Sequence, residues 1–198
     1  MEKRLNYKIL GNSPDFNNPK PELEQYTTPI DITIEIIKQA NSLGHLTGKV
    51  VDLGCGTGRL AIGAAILGAD VTGYEIDEEA LEQAINYSKK NNLKIKWINS
   101  AIESIEENYD TTIMNPPFGS QRPGADTIFL KKALDISKQI WTIHLSKTRK
   151  FIENYVNKNS GKVISAYEFD FPIKKTMTFH SKNMKKEKAI LYHIASLQ

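Results

Sequence analysis

Apolar residues recur along this chain in two rhythms. Short runs rich in aliphatic and β-branched residues, at 50–53, 70–75, 94–98, 110–114 and 140–144, read as strands. Segments with apolar positions three and four apart, at 59–67, 77–91, 129–136 and 148–157, read as helices. In the 77–91 segment the inward face is Ala80, Leu81, Ala84, Ile85 and Ser88. Strand and helix alternate, the pattern of an open, mostly parallel sheet with helices on both faces. Two β-rich stretches, 162–171 and 187–194, close the chain and bring the expected sheet to seven strands. Before the first strand, Ile30, Ile34, Ile37 and Ala40 mark an amphipathic helix, with Pro29 in its first turn and Thr28 preceding it as a sensible cap.

With 198 residues and 40% hydrophobic content, the chain suffices for one well-packed domain and is too short for two sizeable ones. Its expected parts are an N-terminal segment and covering helix (1–47), a core (48–170) and a basic hairpin (171–198). No run approaches the ~18 apolar residues of a membrane span, and the start, Met1 to Tyr7, lacks the apolar core of a signal peptide, so a soluble cytoplasmic protein without membrane contact is expected. The single cysteine, Cys55, excludes an internal disulfide, and the lack of Cys or His clusters argues against a metal site. The net charge of +3 is uneven: from Phe171 onward six lysines face one acid, Glu187, so that segment carries +5 and the preceding 170 residues −2. Lys182, Lys185 and Lys186 beside Phe179 and His180 suit a phosphate backbone with stacked bases, although a solvated loop would also carry such lysines.

Candidate chemistry begins at Val50-Val51-Asp52-Leu53-Gly54-Cys55-Gly56-Thr57-Gly58, a buried strand running into a glycine-rich turn ahead of a helix. Glycines at 54, 56 and 58 permit positive φ and let a ligand lie on the backbone. The strand at 70–75 ends in Glu75, 21 residues beyond Gly54, where nucleotide-binding α/β folds place the acid that grips ribose hydroxyls. The G-x-G-x-x-G spacing of dinucleotide sites fails at Arg59, and no Gly-Lys-Ser/Thr follows for a Walker A loop. Asp52 instead puts a carboxylate under the loop, suited to a cationic cofactor without pyrophosphate: S-adenosyl-L-methionine.

The strand at 110–114 runs into Asn115-Pro116-Pro117-Phe118. An exocyclic amine such as adenine N6 is a weak nucleophile until acceptors bind its N–H bonds. The Asn115 side-chain carbonyl and the Pro116 backbone carbonyl can be those acceptors, and paired prolines hold the loop extended with no competing donor. Phe118 offers a face on which a base can stack, at about 1–3 kcal/mol per base. Alone, the tetrapeptide also reads as a simple turn. Together with the glycine loop and Glu75, it falls at the carboxyl edge of a parallel sheet, where ligands bind in such folds.

These residues resemble the methyltransferase-like 5 family of ribosomal RNA adenine N6-methyltransferases, an archaeal member in particular. The resemblance runs through Leu23-Glu24-Gln25-Tyr26-x-Thr28, the glycine loop, Ile76-Asp77-Glu78-x-Ala80-Leu81, Asn115-Pro116-Pro117-Phe118-Gly119 and Phe179-His180. It implies a class I Rossmann-like fold and methylation of small-subunit ribosomal RNA. It also implies cofactor contacts from Gln25, Thr28, Gly54, Thr57, Arg59 and Glu75, and a small zinc-containing Trm112-type protein covering a sheet edge. One departure stands out: Ser100 sits where the family has an acid for the cofactor's adenine amino group, with Asn99 or Glu103 as compensation. Guanine N2 methylation of RNA, glutamine N5 methylation of protein and a non-catalytic cofactor-binding RNA module remain alternatives.

Overall fold

The computed structural model describes residues 4–173 and 185–198. Seven strands form one sheet in the order β3-β2-β1-β4-β5-β7-β6: β1 (Lys49–Leu53), β2 (Asp70–Glu75), β3 (Ile95–Asn99), β4 (Tyr109–Met114), β5 (Ser137–Leu145), β6 (Gly161–Ile173) and β7 (Lys185–Ser196). The first five strands pair in parallel, and β7 runs antiparallel between β5 and β6. The helices are α1 (Tyr7–Gly11), α2 (Ile30–Ser42), α3 (Arg59–Ile66), α4 (Glu78–Lys90), α5 (Ala125–Ile136) and α6 (Arg149–Lys158).

Period-two alternation divides the strand side chains between two cores. Val50, Val71, Ile113, Trp141 and Leu191 join Ile36, Ile37, Leu60 and Ala64 of α2 and α3. Val51, Met114, Ile140 and Tyr192 join Leu130 and Leu134 of α5 and Ile152 and Val156 of α6. Central strands buried on both faces explain why their sequence is continuously apolar. Asp52 is the one charged residue within that run of β1 and is 1% exposed.

Several element starts differ from expectation, and each has a local cause. Asp77 stands outside α4 and caps it by accepting from the Glu79 N–H. Pro29 itself occupies the cap position of α2, with no side-chain cap bond. Thr28 is instead buried, its carbonyl accepting from Arg59. Helix α5 begins four residues before the apolar periodicity does, after Gly124 at φ +81°. Helix α1 was unexpected; Asn6 starts it by accepting from the Ile9 N–H.

Gly58 serves the packing of the fold. At φ +84°, a Cβ there would lie 2.5 Å from the Trp97 ring and 3.0 Å from Ala84 Cβ. Trp97 is held in place by donating from its indole N–H to Ser88 Oγ, at 3.0 Å. Gly58→Ala should therefore destabilise the chain by about 2 kcal/mol through overpacking and a strained backbone. Denaturant unfolding checks this, and an unchanged midpoint would contradict the packing role.

Candidate active site

A cavity of about 250 Å³ opens where the carboxyl ends of β1, β2 and β4 meet. Its walls come from the glycine loop, Glu75 and Ile76, residues 100–103, Asn115 and Pro117, the start of α5, and an N-terminal strap carrying Phe16 and residues 22–28. Of the residues expected to form the site, Gln25, Thr28, Asp52, Gly54, Gly56, Thr57, Arg59, Glu75, Ser100, Asn115 and Pro117 line it. Gly58, Pro116 and Phe118 are absent from the lining. Phe179, His180 and Lys182 fall outside the described residues, and the backbone at Lys185 and Lys186 opens β7 opposite Ile173 and Pro172.

The glycine loop turns through positive φ at Gly54, Gly56 and Gly58, as its composition suggests. Asp52 fixes the turn into α3 by accepting from the Ala61 N–H at 2.9 Å. Glu75 spans two segments: one carboxylate oxygen accepts from the Gly56 N–H at 2.7 Å and the other from the Asp77 N–H at 2.9 Å. A carboxylate has about four acceptor positions, so Glu75 retains capacity for ribose hydroxyls. Asp77 in turn accepts from Lys20 and Gln25. Burial pushes against the Asp77 charge, yet hydrogen bonds from Lys20 and Gln25 hold its carboxyl below the ordinary value.

Two expected contacts serve the strap. Arg59 donates to Ser13 Oγ, Ser13 O, Thr28 O and the Asp15 carboxylate, which occupies most of its five N–H groups. Thr57 Oγ1 donates to Pro14 O at 2.7 Å. Both residues border the cavity while clamping the segment that covers it.

Asn115 follows the last residue of β4, with its side-chain N–H donating to Tyr26 O at 3.3 Å. Its Oδ1 is buried and has no hydrogen-bond partner among the described residues. Of the stacked pair Tyr26 and Phe118, Tyr26 is the ring on the cavity side. Phe118 is 8% exposed, stacked on Tyr26 at 6.5 Å between centroids and edge-on to Phe171 at 5.4 Å. At the third strand, Ser100 Oγ pairs with Ser104 Oγ at 2.6 Å, and the Asn99 amide donates to the Glu75 and Ile76 carbonyls. Glu103 borders the cavity and Asn99 does not, so Glu103 is the better placed of the two to compensate for Ser100.

These groups fit an adenosyl, sulfonium cofactor. Gly54 and Gly56 leave backbone bare where a Cβ would strike Phe129 at 2.7 Å or Phe16 at 2.6 Å. Glu75 can take hydroxyls, and Ile76, Ile102 and Ile128 supply apolar walls for a planar ring. Asp52 supplies a carboxyl that an incoming cation would ionise: burial, helped by the neighbouring Glu75, pushes it up to about 8 in the ligand-free chain. Among the described residues no His, Cys, Asp and Glu cluster suits a metal. No helix there is long and apolar enough to cross a membrane.

Sequence reasoning missed Phe16 and Glu24 as site residues. Only the family resemblance through Leu23-Glu24-Gln25-Tyr26 touched the latter.

The raised Asp52 value sets a pH dependence. A carboxyl whose folded value exceeds its unfolded value loses stability as pH rises between the two. Stability of the ligand-free chain should thus fall from about pH 4, the unfolded value, towards about 8. Asp52→Asn should remove that part of the slope, leaving a smaller one in the same direction from Glu75, whose carboxyl burial also raises. Unfolding measured at several pH values checks this, and parallel curves for the two proteins would contradict it.

Comparison with known proteins agrees with this geometry. Residues 28–150 match the family model described as the methyltransferase small domain. An uncharacterized protein of Methanocaldococcus jannaschii is 37% identical over 100% of this chain and 95% of its own length. The rRNA N(6)-adenosine-methyltransferase METTL5 of Danio rerio is 35% identical, covering 84% of this chain and 86% of its own. The crystal structure of a candidate RNA methyltransferase from Pyrococcus horikoshii superposes with a TM-score of 0.90 at 35% identity, over 96% of both chains.

Proposed function

Because the chain belongs to the methyltransferase small-domain family, alongside rRNA N6-adenosine methyltransferases that match it over most of their length, we propose that it methylates adenine N6 in RNA, most specifically small-subunit ribosomal RNA. It has the class I methyltransferase fold and uses S-adenosyl-L-methionine. The observation that carries the reading is the buried, unpartnered Oδ1 of Asn115 in the cavity wall. An orphaned acceptor of this kind is costly unless a ligand donor meets it.

The cofactor, when bound, supplies an electrophilic methyl on a sulfonium that is itself the leaving group. Glu75 would hold the ribose hydroxyls, Gly54 and Gly56 would let the ligand lie on the backbone, and Asp52 would face its cationic end. The Tyr26 carbonyl holds the Asn115 amide so that Oδ1, and not the N–H, faces the incoming amine. Asn115 Oδ1 and the Pro116 carbonyl, the latter behind the lining of the ligand-free cavity, would accept the two amine N–H bonds and pull the nitrogen towards tetrahedral geometry. Tyr26 then takes the stacking role first expected of Phe118. A base must leave its stack to arrive here, which favours unpaired RNA. Lys182, Lys185 and Lys186, with Phe179 and His180, would meet the RNA, and such a substrate sets the enzyme in the cytoplasm.

A Trm112-type partner is proposed to extend the β3 edge. The Ser100 N–H donates to Glu75 O at 3.0 Å, and strand alternation then turns the Ile95 and Trp97 amides away from β2. A partner strand can pair with those groups. The Trp97 ring is committed to Gly58, so Ile95 is the cleaner position to test.

Incubation with small-subunit RNA and labelled cofactor should yield N6-methyladenosine on nucleoside analysis. N2-methylguanosine, or methylglutamine in protein, would replace the adenine reading. Asn115→Ala should lower transfer by about 100-fold or more, as for loss of a group aimed at the reacting centre, with cofactor affinity little changed. Retained activity would remove Asn115 from the mechanism. Ile95→Pro should weaken a one-to-one heterodimer by about 1–3 kcal/mol. Size exclusion after co-expression reads this directly, and undiminished co-elution would move the interface off β3.

A further inference from the structure

We infer that Glu24 is a positioning residue, whose buried carboxylate holds the acceptor loop in register with the cofactor site. The inference rests on the methyl-transfer reading above and extends it to a residue that does not touch the target amine. The loop from Asn115 to Gly124 is irregular, with prolines at 116, 117 and 123 that have no N–H to tie it down. Glu24 supplies the tie: Oε2 accepts from the Phe118 N–H at 2.9 Å and Oε1 from the Gln121 N–H at 2.8 Å. The residue is 6% exposed.

Its backbone gives a second, independent observation. Glu24 has φ +50° and ψ 45°, after a 3-10 turn at Pro21–Leu23. Side chains other than glycine seldom adopt this region unless their surroundings hold them there. The turn aims the carboxylate across 94 residues of sequence at the loop.

The following residues show what the tie connects. Tyr26 O, like the Glu24 carboxylate, binds the acceptor loop, through the Asn115 amide. Gln25 donates to Asp77, whose N–H is held by Glu75, and Thr28 O accepts from Arg59 at the start of α3. Successive strap residues thus bind alternately to the loop that presents the acceptors and to the elements that carry the cofactor groups. Glu24 sets where the loop sits on that strap, and with it the distance from acceptors to methyl.

Glu24→Gln and Glu24→Ala test this. Glutamine keeps the volume but has one acceptor oxygen, and its NH2 would face an N–H donor. Both variants should fold and should lower the single-turnover transfer rate by about 10- to 100-fold, the cost of misplacing a reacting group by about 1 Å. Cofactor affinity by calorimetry should stay close to wild type, and amide hydrogen exchange at 118–121 should quicken. A role in packing alone predicts near-normal rates for the glutamine variant, and that result would overturn the inference. So would a rate loss that saturating cofactor repairs, a glutamine variant that cannot fold, or unaltered exchange at Phe118 and Gln121. If wild-type protein transfers no methyl to RNA, that control rejects the functional reading instead, and the exchange data alone then decide whether Glu24 anchors the loop.

Discussion

Everything in this site depends on the parallel register of three neighbouring strands. Asp52 of β1 lies opposite Gly73 of β2 and Ile113 of β4, so the three chains leave the sheet within about a residue of one another. The glycine loop, Glu75 and Asn115 are therefore neighbours by construction, although 61 positions separate Gly54 from Asn115 in sequence. A parallel pair has to be joined by a crossover, and the crossover helices leave the carboxyl edge clear. Gly73 and Gly58 matter for the same reason: both make room for Trp97, which sets β3 and α4 against β2.

On this frame four buried carboxylates, Glu24, Asp52, Glu75 and Asp77, lie at or beside the cavity, and three different arrangements hold them. Glu24 and Glu75 each accept two backbone N–H groups. Asp77 is neutralised by Lys20 and steadied by Gln25. Asp52 has one backbone donor and no cation, which is why burial dominates it. The asymmetry is chemically sensible for a site that receives a cation: the three satisfied acids set geometry, and the unsatisfied one is left for the ligand's charge to relieve.

The sequence disclosed the frame and much of the lining because both are local patterns. Apolar runs located all seven strands, and the spacing of Gly54, Gly56 and Glu75 located the cavity. What it did not disclose were partnerships formed at long range. Arg59 next to the glycine loop looked like a cofactor ligand, but its guanidinium is held by Ser13, Asp15 and Thr28. Phe118 looked like a free stacking face, but Tyr26 and Phe171 pack against it. Glu24 stood out only within the family resemblance, with no role of its own, yet it holds the Phe118 and Gln121 N–H groups. In each case one member of the pair lies on the N-terminal strap, and no periodicity reports which side chain a strap will cover.

That strap also explains how the site can accelerate the reaction without calling on a general base. Methyl transfer from a sulfonium needs little proton chemistry, and Glu24 and Glu75 at this cavity are committed to holding structure. What remains is positioning, which can contribute about 7–11 kcal/mol when reactants are held in a near-attack arrangement. Such holding requires that acceptor loop and cofactor loop move as one body. The two loops leave from adjacent strands, but β1 and β4 stop at Leu53 and Met114, before the chemistry begins. Beyond the sheet, the rigidity has to come from a third segment bonded to both. The strap provides it, with Glu24 and Tyr26 on one loop and Arg59, Thr57 and Asp77 receiving it on the other side.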